Sequence, residues 1–369
     1  MKKTQYRLMI ILLCVNFLSA AVMAQQDNVS GITDGPYLFY RDGKIVVKSV
    51  KQVAGNYSAD SMSFPISAKS KIILNVHLDN HPDWDFTVKL KQHNLYSGCE
   101  FKQASKVLVL SDIEGEFEPF RKLLLAAKVI DSHYKWTFGT GRLIIAGDLF
   151  DRGKQVCQFL WLLYKLEDEA REKSGHVNVI LGNHDIMNLD GDFRYVRPEY
   201  YYNAKLMNEP YSYLYASDSE LGIWLRSKNI IEKIGGLLVL HGGISPDILS
   251  KQMGMVKINI DTRPFFDVRR QNIPDNLRDF FNEKALFWYR GYFLDPKASQ
   301  NLIDSTLSFY RCKKIIVGHD IIDHVAAFYK NKVIGVDVDE HEGVHEALLI
   351  YKNSYYRIDD HGNKQLLFN

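Results

Sequence analysis

The sequence is poor in cysteine, in surplus charge and in long apolar runs, and each shortage closes off a class of protein. Four cysteines occur in 369 residues, and only Cys99, Cys157 and Cys312 lie beyond the first 24. An odd, widely spaced set is no disulfide framework; it leaves three buried free thiols or, in an oxidising compartment, one bridge with one thiol over. Lysine and arginine number 46 against 44 aspartates and glutamates, so overall charge does not imply a nucleic-acid polymer as partner. No internal repeat, heptad pattern or low-complexity tract is present. At 46% hydrophobic residues the chain has the material for a packed core, and its length suits one large domain with a smaller one appended.

The one sustained apolar stretch runs from Leu8 to Leu18, after Lys2, Lys3 and Arg7 and before Val22-Met23-Ala24. Residues 1–24 therefore read as a secretory signal peptide cleaved before Gln25. The stretch is shorter than the ~20 residues of a membrane span, and no transmembrane segment is expected after cleavage. An uncleaved anchor helix is the alternative; lipidation at Cys14 is another, but Leu13 is not the small residue expected before a lipidated cysteine. The expected destination is outside the cytoplasm, periplasmic or secreted.

Residues 25–104 form a first unit. Short alternating runs, YLFYRDGKIVVKSV, KIILNVHL and DFTVKLKQH, with a turn at Asp42-Gly43, predict a small antiparallel β unit. From residue 105 to 369 the texture changes to apolar strands that each end in a polar, glycine-bearing turn: KVLVLSDIEG, RLIIAGDLFDRG, VNVILGNHD, LLVLHGGIS and KIIVGHD. Between them, GEFEPFRKLLLAAKVI and KQVCQFLWLLYKLEDEAREK carry the spacing of amphipathic helices. Buried strands alternating with helices predict an α/β layered fold, in which ligands gather beyond the carboxyl ends of strands. A tyrosine-rich insert, 188–233, reads as a helical cap with its own satellite core and with aromatic and arginine side chains suited to a phosphorylated ligand carrying a flat group. Residues 346–369 read as strands that finish a sheet.

Phosphate esters need cations to hold their oxygens and to make a nucleophile of water at neutral pH, and a pair of metals does both. Such a pair needs a bridging carboxylate among carboxylate, imidazole and amide donors. The strand-end turns supply Asp112, Asp148, Asn183, His241 and His319. Any one alone could be a strand-end cap; five in one chain point to a metal centre.

The motifs GDLFDRG (147–153), GNHD (182–185), HGGISPD (241–247) and GHD (318–320), with a divergent SDIEG (111–115), resemble the calcineurin-like metallophosphoesterase superfamily. Within it the phosphoprotein-phosphatase branch and its Shewanella-like members are the nearest match, helped by GDFRYV, LGIWLRSKN and FWYRGYF. The resemblance implies a layered β-sandwich flanked by helices, with the amino-terminal β unit unmatched. It implies that Asp148 bridges two divalent metals, that Asp112 holds the first, and that Asn183, His241 and His319 hold the second. His184 would protonate the leaving oxygen, oriented by Asp151, while Arg152 and Arg290, with Asn183, would bind the phosphate. Manganese heads the candidate metals, with iron, zinc or magnesium behind it.

Glu114 breaks the pattern, because most of this branch reads D-x-H-G. A glutamate there can ligate directly, hold a water, or mark a lost metal; the rest of the machinery is intact, which favours the first two. The expectation is a phosphatase that hydrolyses phosphomonoesters, of phosphoprotein type, by direct attack of a dimetal-bound hydroxide. A dinucleoside polyphosphate or nucleotide pyrophosphohydrolase is the alternative, and a non-catalytic phosphate- or partner-binding module on a degenerate fold is the rival of another class. Two further clusters are set aside here, DVDEHEGVHEA (337–347) as a loop at the rim and HLDNHPDWD (77–85) as a solvated turn.

Overall fold

A computed structural model describes residues 29–369 apart from 80, 95 and 97; the signal-peptide segment lies outside the described residues. The strands are β1 (Asp34–Arg41), β2 (Lys44–Val53), β3 (Asn56–Pro65), β4 (Ile73–Val76), β5 (Phe86–Lys89), β6 (Glu100–Phe101), β7 (Lys106–Leu110), β8 (Arg142–Ala146) and β9 (His176–Ile180), continuing with β10 (Ile231–Ile234), β11 (Leu237–Leu240), β12 (Lys314–Val317), β13 (Ala326–Phe328), β14 (Val333–Gly335), β15 (Glu346–Tyr351), β16 (Ser354–Asp359) and β17 (Lys364–Phe368). The helices used below are α1 (Phe117–Ala126), α2 (Val156–Glu172), α3 (Asn183–Asp190), α4 (Pro198–Leu206) and α5 (Glu220–Arg226).

Two six-stranded sheets carry the chemistry, one ordered β17-β16-β15-β7-β8-β9 and the other β13-β14-β12-β11-β10-β6. Strand alternation sets the layers. Val107, Val109, Ile144, Ala146 and Ile180 of the first sheet meet Ile234, Leu237, Val239, Ile316 and Ile334 of the second in one buried cluster, while Leu108, Leu110, Leu143 and Ile145, with Leu238, Leu240, Ile315 and Val317, face the larger cluster that includes the helices. Strands buried on both faces read as continuous apolar runs, which is why KVLVL and RLIIA look as they do. The result is the layered sandwich with flanking helices. β7, β8 and β9 are parallel, and β11 and β12 are parallel, so the turns that leave their carboxyl ends converge.

The amino-terminal sheet β1-β2-β3 is antiparallel throughout, and Asp42 and Gly43 both take positive φ in its first turn, the geometry a two-residue hairpin favours. It does not stand apart. Tyr37, Phe39 and Val47 belong to the main buried cluster, Trp161 of α2 donates through Nε1 to the Pro36 carbonyl at 2.8 Å, and β6 pairs with β10 in the second large sheet.

The insert departs from its expected satellite core. Tyr200 of α4, Met207, Tyr211, Leu214, Tyr215 and Trp224 of α5 all join the main cluster. The physical reason is that β1 offers them a surface: Tyr37 packs edge-on against Tyr215, Asn203 donates to the Ile32 carbonyl at 2.9 Å, and Tyr40 bonds Glu220. Lys91 and Lys228 both pair with Glu167 of α2, which fastens the end of the first unit and the insert to one helix; desolvation offsets much of the attraction in such buried pairs. Among the described residues the cysteines are free, Cys99 and Cys157 buried and Cys312 half-buried.

Candidate metal centre and phosphate cavity

Every motif residue named from the sequence arrives at one place. Asp112 follows β7, Asp148 and Asp151 follow β8, Asn183 and His184 open α3 after β9, His241 follows β11 and His319 follows β12. Asp112, Asp148, Arg152, His184, Arg290 and His319 line a cavity of about 480 Å3. Close approach of these turns needs glycine at two points: a Cβ on Gly182 would run into the Asp148 carboxylate, and one on Gly318 into Ser111 and Asp112. Asp185 ties two of the turns together, accepting from Leu149 N at 2.8 Å and Gly182 N at 2.7 Å. Asp112, Glu114, Asp148, Asp151, Arg152 and His319 all have φ between 45° and 78°, a left-handed backbone that costs a non-glycine residue about 1 kcal/mol or more.

Asp148 is the hub. Ligand atoms of Asp148, His241 and His319 lie within 4.8 Å of one another, and so do those of Glu114, Asp148 and His184. His241 places Nε2 at 3.1 Å from Asp148 Oδ2 and 2.9 Å from Asn183 Oδ1, while its Nδ1 faces the Ala146 carbonyl at 2.8 Å. His319 turns Nε2 to the Trp288 carbonyl at 3.1 Å, which leaves Nδ1 for the cavity.

His184 is held from behind by a chain of hydrogen bonds. Its Nδ1 lies 2.6 Å from Asp151 Oδ2, Asn188 donates to Asp151 Oδ1 at 3.1 Å, and Tyr211 donates to Asn188 Oδ1 at 2.8 Å. His184 Nε2 thus faces the cavity, 3.9 Å from both Asp148 and Glu114. The insert therefore serves the site through Tyr211, a contribution that tyrosine density alone did not single out, and it also sets the Tyr195 ring 5.0 Å from the His184 ring.

Glu114 is buried and doubly gripped. Arg152 Nη1 lies 2.5 Å from Oε2, and His341 Nε2 lies 2.8 Å from the same oxygen. The other oxygen, Oε1, is buried with no hydrogen-bond partner. His341 belongs to the acid- and histidine-rich loop set aside above, and so does Asp337, whose buried carboxylate lines the cavity. Arg290 bonds Asp320 at 2.7 Å and the His319 carbonyl at 2.9 Å. Both arginines remain partly open to the cavity, with side chains 45% and 43% exposed.

The electrostatics ask for cations. Burial pushes Asp112 up to about 7 despite the neighbouring His241, with the charge on Asp148 adding to the rise. Burial likewise raises Asp337 well above the carboxylate range, Asp112 next among the causes. For Asp148 burial is outweighed by His241 and His184, which hold it far below that range. The buried carboxylates of Asp112, Glu114, Asp148 and Asp337, with one Glu114 oxygen orphaned, join an amide oxygen and imidazole nitrogens in a donor set that fits divalent metal ions.

Residues 105–323 match the family model described as calcineurin-like phosphoesterase. Among solved structures, the cold-active protein-tyrosine phosphatase of a psychrophilic Shewanella species superposes with a TM-score of 0.81 at 33% identity, over 91% of this chain and 99% of that one. Shewanella-like protein phosphatase 1 of Plasmodium berghei is 24% identical over 287 residues, 73% of this chain and 75% of the relative. The symmetrical bis(5'-nucleosyl)-tetraphosphatase of Buchnera aphidicola is 28% identical over 185 residues, 48% of this chain and 58% of the relative.

Proposed function

The chain belongs to the calcineurin-like phosphoesterase family, and from that premise we propose that this metal-dependent phosphatase removes phosphate from phosphorylated side chains of proteins. The observation that carries the reading is the convergence of carboxylates, imidazoles and two arginines on one cavity, with His184 Nε2 facing into it. Similarity to a protein-tyrosine phosphatase over nearly the whole chain favours phosphoprotein substrates, tyrosine included. The shorter similarity to a dinucleoside tetraphosphatase keeps phosphoanhydrides as the second reading.

In this reading Asp112, Glu114 and Asp148 would hold one divalent ion, and Asp148, Asn183, His241 and His319 the other. Bound there, two such ions supply Lewis acidity that activates water and neutralises phosphoryl oxygens. The protein's own groups do the rest. Arg152 and Arg290 offer planar N–H donors to the phosphate, and His184 donates a proton from Nε2 to the leaving oxygen while Asp151 fixes the ring. A thiol nucleophile is not in play among the described residues, since burial raises Cys99, raises Cys312 to about 11, and lifts Cys157 well above its ordinary value. An oxygen-rich donor set favours a hard ion, manganese first, with magnesium, iron or zinc as the alternatives. Export to the periplasm or beyond is part of the proposal, supported by the sequence of residues 1–24.

The test is turnover of an aryl phosphate, phosphopeptides and a dinucleoside tetraphosphate by mature protein reconstituted with manganese. Mass spectrometry of the native protein should find Gln25 first. Manganese-dependent turnover confined to the tetraphosphate would sink the phosphoprotein reading; turnover of none would sink the assigned roles.

In this scheme Oε1 is the oxygen Glu114 would offer to the ion, because Oε2 is already bonded to Arg152 and His341. The bond to Glu114, with Glu116 next at 3.3 Å, raises His341 to about 9 in the metal-free protein, and the contact through Nε2 pins the carboxylate. Partners of metal ligands commonly set affinity at this level. His341→Ala is expected to weaken binding of one manganese ion about 10-fold or more, read by titration of the metal-free protein, with His341→Gln restoring part of it. Unchanged affinity for both ions would remove His341 from the scheme.

A further inference from the structure

A second cavity, of about 390 Å3, opens beside the catalytic one and shares Arg152 with it as a wall. Its other walls come from four stretches distant in sequence: His81 and Trp84 of the amino-terminal unit, Glu116 at the start of α1, Lys154 shortly after Arg152, and Arg197 before α4. The stretch HLDNHPDWD, read above as a solvated turn, supplies the flat part of this wall. The His81 ring lies on the Trp84 ring with centroids 3.7 Å apart and planes 7° apart, and the Arg121 guanidinium sits over the same indole at 4.6 Å. A braced, half-buried aromatic platform of this kind is the anchor that recognition of an apolar or aromatic side chain uses.

Charge around the platform is distributed unevenly. Glu116 is engaged by His341 at 3.3 Å, and Glu118 by Lys122 at 2.8 Å. Glu199 is taken up by Arg197, at 2.8 Å and 3.3 Å. Lys154 is left with Glu199 at 3.9 Å as its carboxylate contact and a side chain 53% exposed. Asp79, on the same wall, accepts from Thr33 N at 2.8 Å, and the least neutralised cation on the wall is Lys154, two residues from the arginine assigned to the phosphate. Arg197 Nη1 also donates to the Arg152 carbonyl at 3.0 Å, so the two cavities share a fixed rim.

A phosphorylated side chain whose phosphate lies between Arg152 and Arg290 must send its main chain out of the catalytic cavity. An extended chain advances about 3.4 Å per residue with side chains alternating in direction, so a chain that leaves over Arg152 brings its next residues above the second cavity. We propose that this cavity is a subsite for the peptide flanking the phosphorylated residue, taking an aromatic or large aliphatic side chain on the His81–Trp84 stack and an acidic one at Lys154. The proposal rests on the phosphoprotein reading, and it gives the amino-terminal β unit a part in substrate choice.

The experiment compares wild type, Trp84→Ala and Lys154→Glu, all loaded with manganese, on three substrates. These are a phosphotyrosine peptide with phenylalanine and glutamate beside the phosphorylated residue, the same peptide with glycine flanks, and an aryl phosphate. The wild type is expected to favour the first peptide over the second by about tenfold in kcat/KM, and each variant to lose most of that preference. Lys154 is open to solvent, so its variant reports even if Trp84→Ala does not fold. A wild type that cleaves both peptides equally, or variants that keep the preference, would overturn the subsite while leaving the phosphoprotein reading intact. A wild type that cleaves the aryl phosphate and neither peptide would take down that reading and the subsite with it. If Trp84→Ala instead slows a dinucleoside tetraphosphate and spares the peptides, the platform is a base-stacking site and the proposal is wrong.

Discussion

Replacement of Asp148 by asparagine is expected to lower kcat/KM for an aryl phosphate by at least about 1,000-fold, or roughly 4 kcal/mol at 1.36 kcal/mol per tenfold. Asparagine keeps the shape and can still accept the bond that His184 N makes to Oδ1 at 2.9 Å, so the turns should fold as before. What it removes is the charge. Asp148 is common to both clusters of candidate ligands, and in the metal-free protein its carboxylate is the leading influence raising His241 and His184 against their burial. One substitution therefore strips the donor shared by both metal positions. Metal content, steady-state rates and the urea midpoint together separate this from misfolding. A folded variant with two metals and activity within tenfold of wild type would show that the centre is organised around some other residue.

His184→Ala should lower kcat by about 100- to 10,000-fold, the range for loss of a positioned general acid, and the loss should grow as the leaving group becomes more basic. A nitrophenolate departs with little help, whereas the alkoxide of phosphoserine needs a proton, so phosphoserine peptides should suffer more. The pH dependence has a defined sign. Burial disfavours the imidazolium, but Asp148 and the hydrogen bond to Asp151 outweigh it and hold His184 up at about 9 in the metal-free protein. An acid must carry its proton, so its contribution is present below its pKa and lost as pH rises through it. Asp151→Asn removes one of the supports, and the alkaline limb of the kcat profile should move to lower pH. A limb that stays put in Asp151→Asn, or a loss in His184→Ala that is equal for aryl and alkyl esters, would mean the proton comes from elsewhere.

The strands and the residues at their ends were readable because both depend on local rules. A run such as LIIA, 143–146, is apolar throughout because both its faces are covered, and an aspartate or histidine at its end points where parallel strands deliver their ligands. His341 and Asp337 were not assignable on those rules. His341 meets Glu114 across 227 positions, and nothing in DVDEHEGVHEA says which carboxylate its imidazole will find until the sheets have closed. The insert was misread for a related reason. Its tyrosines announce burial, but Tyr215 finds its partner in Tyr37 of β1, 178 positions away, and apolar density does not name its partner. Glu114 stood out by contrast with its motif, yet the reason a glutamate is tolerated there lies in Arg152 and His341, which meet it only in three dimensions.

Six site residues adopt a backbone conformation that glycine would occupy at lower cost. Relief of backbone strain alone would thus favour glycine at Asp112, Glu114, Asp148, Asp151, Arg152 and His319, against the hydrogen bonds their side chains make, among them those from His184 N to Asp148 and from His319 N to Asp112. The strain can be relieved only at these positions, and in a lineage that ceased to need the chemistry each such relief would erase a functional group. Side chains retained at all six are what continued use of the site would leave behind.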